Sequence, residues 1–147
     1  MNSTKFLDLI PNLMLAAALG QAAIAMLNLS LVSLLGWKKD LAAMPLLVRE
    51  VFRVHQWFIT ITLLLFAFWT WKIIPQIGQG SDLAGWILAG ISLFWGIRTI
   101  LQVTYYSSSH WKGKTRESLV HVLLLLAYGG CSLVYATGAW ICLGEGS

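Results

Sequence analysis

Four long apolar runs, separated by short polar stretches, dominate the chain. They predict α-helices at about residues 9–36, 46–74, 83–106 and 118–143. Each run exceeds the roughly 20 residues that an α-helix needs to cross about 30 Å of hydrocarbon. Short connections favour helices that alternate in direction. The pattern predicts an all-α integral membrane protein, with a single antiparallel four-helix transmembrane bundle over residues 1–147.

Proline and glycine mark where the predicted helices begin and end. Pro45 precedes the second helix and Pro75 follows it, as expected of a residue that is tolerated at a helix start and stops a helix that reaches it. The first helix is predicted to carry Pro11 in its first turn and to end near Gly36. The connections that remain are too short to hold a folded unit outside the membrane.

Charged residues are scarce, and their distribution predicts the orientation. They make up 11% of the chain, against about 25% in a soluble domain, while 58% of residues are hydrophobic. One predicted face carries seven basic residues and the other two: Lys38, Lys39, Arg49, Arg53, Lys112, Lys114 and Arg116 against Lys5 and Lys72. Because basic loops stay inside, both termini are predicted outside, in a cell inner (plasma) membrane.

Polar residues of three helices fall at a similar depth, in the predicted cytoplasmic half. The candidate ligand-binding residues are Arg53, Arg98, Gln102, Tyr105 and His121. A buried arginine in a membrane is costly unless it has a partner, so we expect Arg98 to face the bundle. Charge-assisted hydrogen bonds from such a cluster suit the polar headgroup of an amphiphile, a lipid or a quinone. The alternative is a structural ion pair between Glu50 and Arg98.

Two histidines suggest a second possibility. His55 and His121 lie on different predicted helices at roughly similar depth. Two imidazoles facing each other across a bundle could ligate the iron of haem b, which would make the chain a membrane anchor or an electron-transfer subunit. Chance often supplies one histidine on each of two helices, so this signal has low specificity.

The third possibility is a non-catalytic accessory subunit of a larger membrane complex. Trp57, Trp95 and the alanine-rich face of the first helix would then contact other membrane subunits or a second copy of the chain. The chain has no zinc-protease, nucleophile-elbow or phosphate-loop motif, so neither an enzyme nor a metal site is expected. Nucleic-acid binding is not expected either, because membrane topology explains the basic residues.

Regular spacings predict which helix faces meet a neighbour. His121, Tyr128, Tyr135 and Cys142 recur every seven residues, which keeps one face toward an adjacent helix. Gln21 and Asn28 repeat the spacing among small residues and predict a tight seam with amide hydrogen bonds. About 16 Å of helix separates Cys131 from Cys142, which is beyond the reach of a disulfide bond. Both are therefore predicted to be buried thiols.

Overall fold

A computed structural model describes residues 3–34, 36–77, 79, 81–105 and 115–144, with backbone alone for 3–8, 115–117 and 120. All regular structure within these ranges is helical. The elements are α1 (Ser3–Leu34), α2 (Lys38–Ala43), α3 (Leu46–Ile73), a 3-10 turn (Ile74–Gln76), α4 (Asp82–Thr104) and α5 (Thr115–Gly144).

Four of these helices are long and apolar enough to cross a membrane. Their apolar spans are Leu9–Leu34, Leu46–Gln76, Asp82–Thr104 and His121–Gly144. Large apolar side chains remain exposed on all four, for example Leu19, Phe58, Leu93 and Leu133. A surface of this kind suits lipid rather than water. The predicted all-helical, multi-pass character is supported by length and composition, and four such helices are compatible with a four-helix bundle.

Local chemistry explains most of the helix ends. Gly36 has a φ of +70°, Trp37 N donates to Val32 O at 3.0 Å, and Gly36 N donates to Ser33 O at 3.4 Å. This is a Schellman motif, in which glycine takes the left-handed conformation that ends a helix. Ser81 caps α4 by accepting from Ala84 N, and α3 ends at Ile73, before Pro75, as predicted.

The structure differs from the sequence prediction at two places near α1. α1 begins at Ser3, so Pro11 lies inside the helix and not in its first turn. Hydropathy predicts where the apolar residues of a helix lie, but a helix can continue beyond them into polar residues. The predicted first loop contains the short helix α2, whose lysines and alanines are good helix formers.

The chain groups into two compact units. The α4–α5 unit comprises Met1–Leu15 with Ile73–Ser147, and the α1–α3 unit comprises Ala16–Lys72. The prediction of one transmembrane domain over residues 1–147 stays a prediction.

A polar contact joins α1 to α3 within the α1–α3 unit. Asn28 Nδ2 donates to Gln56 O and to Thr60 Oγ1, both at 2.9 Å. Gln56 Nε2 donates in return to Asn28 O at 2.6 Å. Thr60 is 2% exposed and Gln21, one heptad before Asn28, is fully buried. The amide hydrogen bonding predicted for Asn28 is confirmed.

We expect Asn28→Leu to lower the free energy of unfolding by about 1 kcal/mol, because interhelical hydrogen bonds in membranes average about 0.6 kcal/mol each. Denaturation by sodium dodecyl sulfate of the chain in mixed micelles would measure this change. Asn12→Leu is the matched control, since Asn12 is exposed on the same helix. Equal stability of the two variants would show that the Asn28 contacts contribute nothing.

Candidate functional site

The α4–α5 unit is built on a close antiparallel pair of helices. Ser92 Oγ donates to Ser132 O at 2.9 Å, and Ser132 Oγ donates to Ser92 O at 3.1 Å. A Cβ placed on Gly96 would lie 3.3 Å from Ser132 Oγ, so glycine permits this approach. Small residues at such crossings let serine side chains of one membrane helix donate to backbone carbonyls of the other. The serine pair fixes the register of the residues that follow.

An aromatic stack with a cation lies further along the same interface. The Trp95 and Tyr128 rings are stacked, with centroids 5.2 Å apart and planes inclined by 25°. The Arg98 guanidinium carbon lies 4.8 Å from the centroid of the Tyr128 ring. A cation over an aromatic face is stabilised by about 0.5–2 kcal/mol, more where water is excluded. The stack gives Arg98 a favourable neighbour inside an apolar helix pair.

Gln102 and His121 form the third layer. Gln102 Nε2 lies 3.0 Å from His121 Nδ1, and Gln102 is 2% exposed. Gln102 Oε1 is buried, and no hydrogen-bond partner for it exists among the residues that the structure describes. A buried acceptor without a partner costs about 1–3 kcal/mol. Such a group in a helix interface suggests a bound molecule that supplies the missing hydrogen bond.

The Gln102 amide can lack either a hydrogen-bond donor or a hydrogen-bond acceptor, depending on the His121 tautomer. If His121 Nδ1 accepts from the amide NH2, the free end of Gln102 is the Oε1 acceptor. If Nδ1 carries the proton, the amide can reverse, so that Oε1 accepts from Nδ1 and the NH2 group is free. One end of the Gln102 amide is unsatisfied in both arrangements. The pair can therefore receive a hydroxyl or ammonium donor, or a carbonyl or phosphate acceptor.

The structure brings together three of the five predicted ligand-binding residues. Arg98, Gln102 and His121 form what we call the Arg98 cluster, together with Trp95 and Tyr128. Arg98 and His121 are only half-buried, so part of the cluster is accessible.

The other two predicted residues are Tyr105 and Arg53. Tyr105 is seven residues after Arg98, hence on the same face of α4, but it is 82% exposed at the end of that helix. Arg53 is exposed on α3, in the α1–α3 unit. Its contribution to the site stays a prediction, as does the ion pair between Glu50 and Arg98.

The haem b alternative also stays a prediction. His55 is exposed on α3, whereas His121 is half-buried on α5 beside Gln102. Within the described part of the chain, no three histidine, cysteine or acidic side chains come close enough to hold a metal ion.

Tyr128 and Trp95 were missing from the predicted binding residues. The seven-residue spacing of α5 did carry the signal for Tyr128: Tyr128, Tyr135 and Cys142 are all buried, as that stripe predicted. Both cysteines are buried free thiols, also as predicted. Trp95 was expected on an outer contact surface, and this was wrong, because it is 1% exposed against Tyr128.

Several sequence predictions lie outside the described residues. They are the loop positions Lys112 and Lys114, the end of the third predicted helix at residue 106, and the side chain of Arg116.

Comparison with protein-family models, with curated proteins and with solved structures finds no match to this chain. Its function must therefore be argued from the Arg98 cluster and from the helices that carry it.

Proposed function

We propose that this chain is a multi-pass protein of a cell inner (plasma) membrane that binds the polar headgroup of an amphiphile, a lipid or a quinone, at the Arg98 cluster. The observation that carries the proposal is Gln102, which is 2% exposed and has a buried oxygen with no partner among the described side chains. A bound headgroup would supply that hydrogen bond.

The proposed orientation is N-out and C-out, with four antiparallel helices. The bias of basic residues toward two loops favours it. In this orientation α4 ends in the cytoplasmic interface, and Arg98 lies six residues, or about 9 Å, inside that end. An amphiphile of the inner leaflet reaches this depth with only a small displacement of its headgroup. Long polar side chains such as Arg98 span much of the remaining distance.

The chemistry of the cluster fits such a headgroup. The guanidinium of Arg98 offers donors to a phosphate or carbonyl oxygen, and a hydrogen bond to a charged group contributes about 1.5–3 kcal/mol. The Gln102 amide adds one donor or acceptor, as the His121 tautomer allows. Because Gln102 is buried in the helix interface, a polar headgroup would supply a hydrogen bond that lipid tails cannot.

Arg98→Gln is expected to reduce the bound amphiphile at least tenfold. The loss of about 2 kcal/mol in a charge-assisted hydrogen bond corresponds to more than a tenfold weakening. The measurement is organic extraction of protein purified in a mild detergent, with lipids and quinones quantified per mole of protein by mass spectrometry.

Lys72→Gln is the matched control. It removes the same charge from a side chain that also lies 4.8 Å from an aromatic centroid, that of Trp71. Its amphiphile content should equal that of the native chain. If the native protein retains no lipid or quinone above the level of Arg98→Gln, the proposal fails and an accessory role becomes the better explanation.

A further inference from the structure

α3 carries an apolar stripe that faces away from its own unit. The stripe, called here the α3 outer stripe, consists of Val51, Val54, Phe58, Ile61, Leu65 and Phe68. These six side chains are between 47% and 69% exposed. Their spacing alternates between three and four residues, the repeat that keeps one seam of an α-helix facing a partner helix. The stripe extends over about 27 Å, close to the thickness of the hydrocarbon layer.

The opposite side of α3 follows the same seven-residue repeat and is turned inward. Gln56, Leu63 and Thr70 are seven apart, and the latter two are almost completely buried. Gln56 makes the hydrogen bonds to Asn28 on α1. α3 therefore uses one face inside the protein and presents the stripe on the other.

An apolar stripe by itself has no need of a protein partner, because lipid tails cover it equally well. Two ionisable residues beside it change this conclusion. Glu50 directly precedes Val51 and His55 directly follows Val54, and both are exposed. Neither makes a hydrogen bond or an ion pair with any other residue in the ranges that the structure describes. Ionisable residues that flank an apolar seam select a partner and its orientation by pairing across the seam, which lipid tails cannot do.

The separation of these two residues fits a second copy of the same helix. In a parallel pair of helices with a seam at Val51 and Val54, Glu50 and His55 occupy the two flanking positions of the repeat. Side chains five residues apart at these positions meet across the seam. A two-fold axis then forms two identical contacts, Glu50 to His55 of the second copy and the reverse. In each, a ring N–H of His55 donates to the Glu50 carboxylate.

The surface of α3 around Val54 has a groove that suits the packing of a second helix. Glu50, Val51, Val54, His55 and Phe58 line a shallow groove. In knobs-into-holes packing, a side chain inserts into a hole formed by four residues of the facing helix. Val51, Val54, His55 and Phe58 have the spacing of such a hole, and the side chain that would fill it is Val54 of the second copy.

We propose that the α3 outer stripe is a parallel dimerisation surface, on which two copies of this chain pack α3 against α3 and exchange two contacts between Glu50 and His55. The partner is a second copy because the donor and acceptor on this face, His55 and Glu50, complement each other under a two-fold axis. Trp57, at the next flanking position, belongs to the same surface, which agrees with its predicted role as a contact residue.

Disulfide cross-linking in liposomes tests the surface. Single cysteines replace Val51, Val54 and Phe58 in a chain that also carries Cys131→Ala and Cys142→Ala. Copper-phenanthroline oxidation is expected to give at least fivefold more dimer at these three positions than at Leu93→Cys or Leu133→Cys. Those controls are equally exposed, at 65% and 71%, but lie on α4 and α5. Equal yields at all five positions, or no dimer at the stripe, would overturn the proposal.

Charge reversal tests the pairing. Glu50→Lys should lower the dimer yield of Val54→Cys about tenfold, and Glu50→Lys combined with His55→Glu should restore it. Energy transfer between donor- and acceptor-labelled chains with native cysteines gives the same comparison without the alanine background. If Glu50→Lys leaves both the cross-linking and the energy transfer unchanged, the Glu50 and His55 contacts do not specify the partner.

Discussion

Replacing Gly85 by leucine is expected to force α4 away from α5 and to lower the free energy of unfolding by about 3 kcal/mol or more. A Cβ at Gly85 would lie 2.6 Å from Leu143 Cγ and 3.3 Å from Cys142 Cβ. The Leu143 side chain can rotate away from this Cβ, but Cys142 Cβ is fixed to the backbone of α5. A leucine adds three further carbons, which must be accommodated by separating the two helices.

Gly90→Leu is the matched control for this effect. Gly90 lies five residues later on the same helix, and a Cβ there would meet nothing within 4 Å. Leucine at an open helical position should be neutral or stabilising by up to about 1 kcal/mol. Denaturation by sodium dodecyl sulfate measures both variants. Native stability in Gly85→Leu would mean that the helix pair is not packed as described.

The same pair of variants has a local readout. Cys142 is fully buried next to Gly85, so its thiol reports separation of the two helices directly. In a Cys131→Ala background, maleimide labelling of Cys142 should be at least tenfold faster in Gly85→Leu than in Gly90→Leu. An unchanged rate in Gly85→Leu would show that α5 accommodates the added carbons without opening.

Gln102→Leu is expected to abolish amphiphile binding while leaving stability equal or higher. The substitution removes the hydrogen bond to His121, worth about 1 kcal/mol, but also removes a buried oxygen whose unsatisfied state costs about 1–3 kcal/mol. Leucine has a similar volume and suits the apolar interface. The amphiphile extracted per mole of protein should fall at least tenfold, and the free energy of unfolding should not decrease.

Gln56→Leu provides the opposite result for comparison. Gln56 is a glutamine whose amide donates to Asn28 O at 2.6 Å, in the α1–α3 unit. Its replacement should lower stability by about 1 kcal/mol and leave the amphiphile content unchanged. If Gln102→Leu instead loses stability and keeps its amphiphile, Gln102 is a structural link between helices, and the Arg98 cluster is not a binding site.

The positions of the helices could be predicted from sequence because hydropathy and chain-breaking residues act locally. The predicted ranges 46–74 and 118–143 differ from α3 and α5 by at most three residues at any end. Pro75 and Gly36 act within their own turn, through a missing N–H and a left-handed φ. α2 was missed because six residues in a polar connection carry no apolar repeat.

The Arg98 cluster could be predicted only in part. The cost of an arginine in a membrane pointed to Arg98, and helical spacing placed Gln102 on its face. His121 on α5 was grouped with Gln102 on α4 only because the two have a similar predicted depth in the membrane. Gln56 on α3 supplies the hydrogen-bond partner of Asn28 on α1. The amide spacing of α1 did not reveal which helix its partner would come from.

The amino-acid sequence by itself determined that this chain forms four membrane-length helices, where they end, and that Arg98 needs a polar neighbour. The seven-residue stripe also predicted the buried face of α5, but only the tertiary structure decided which faces of α3 and α4 are inside. It placed Trp95 inward against Tyr128, left Val54 and Phe58 outward on α3, and buried one Gln102 oxygen without a partner among the described residues. The physical reason is the solvent. In water, apolar residues mark the inner face of a helix, whereas lipid and protein interior are equally apolar, so periodicity cannot tell them apart.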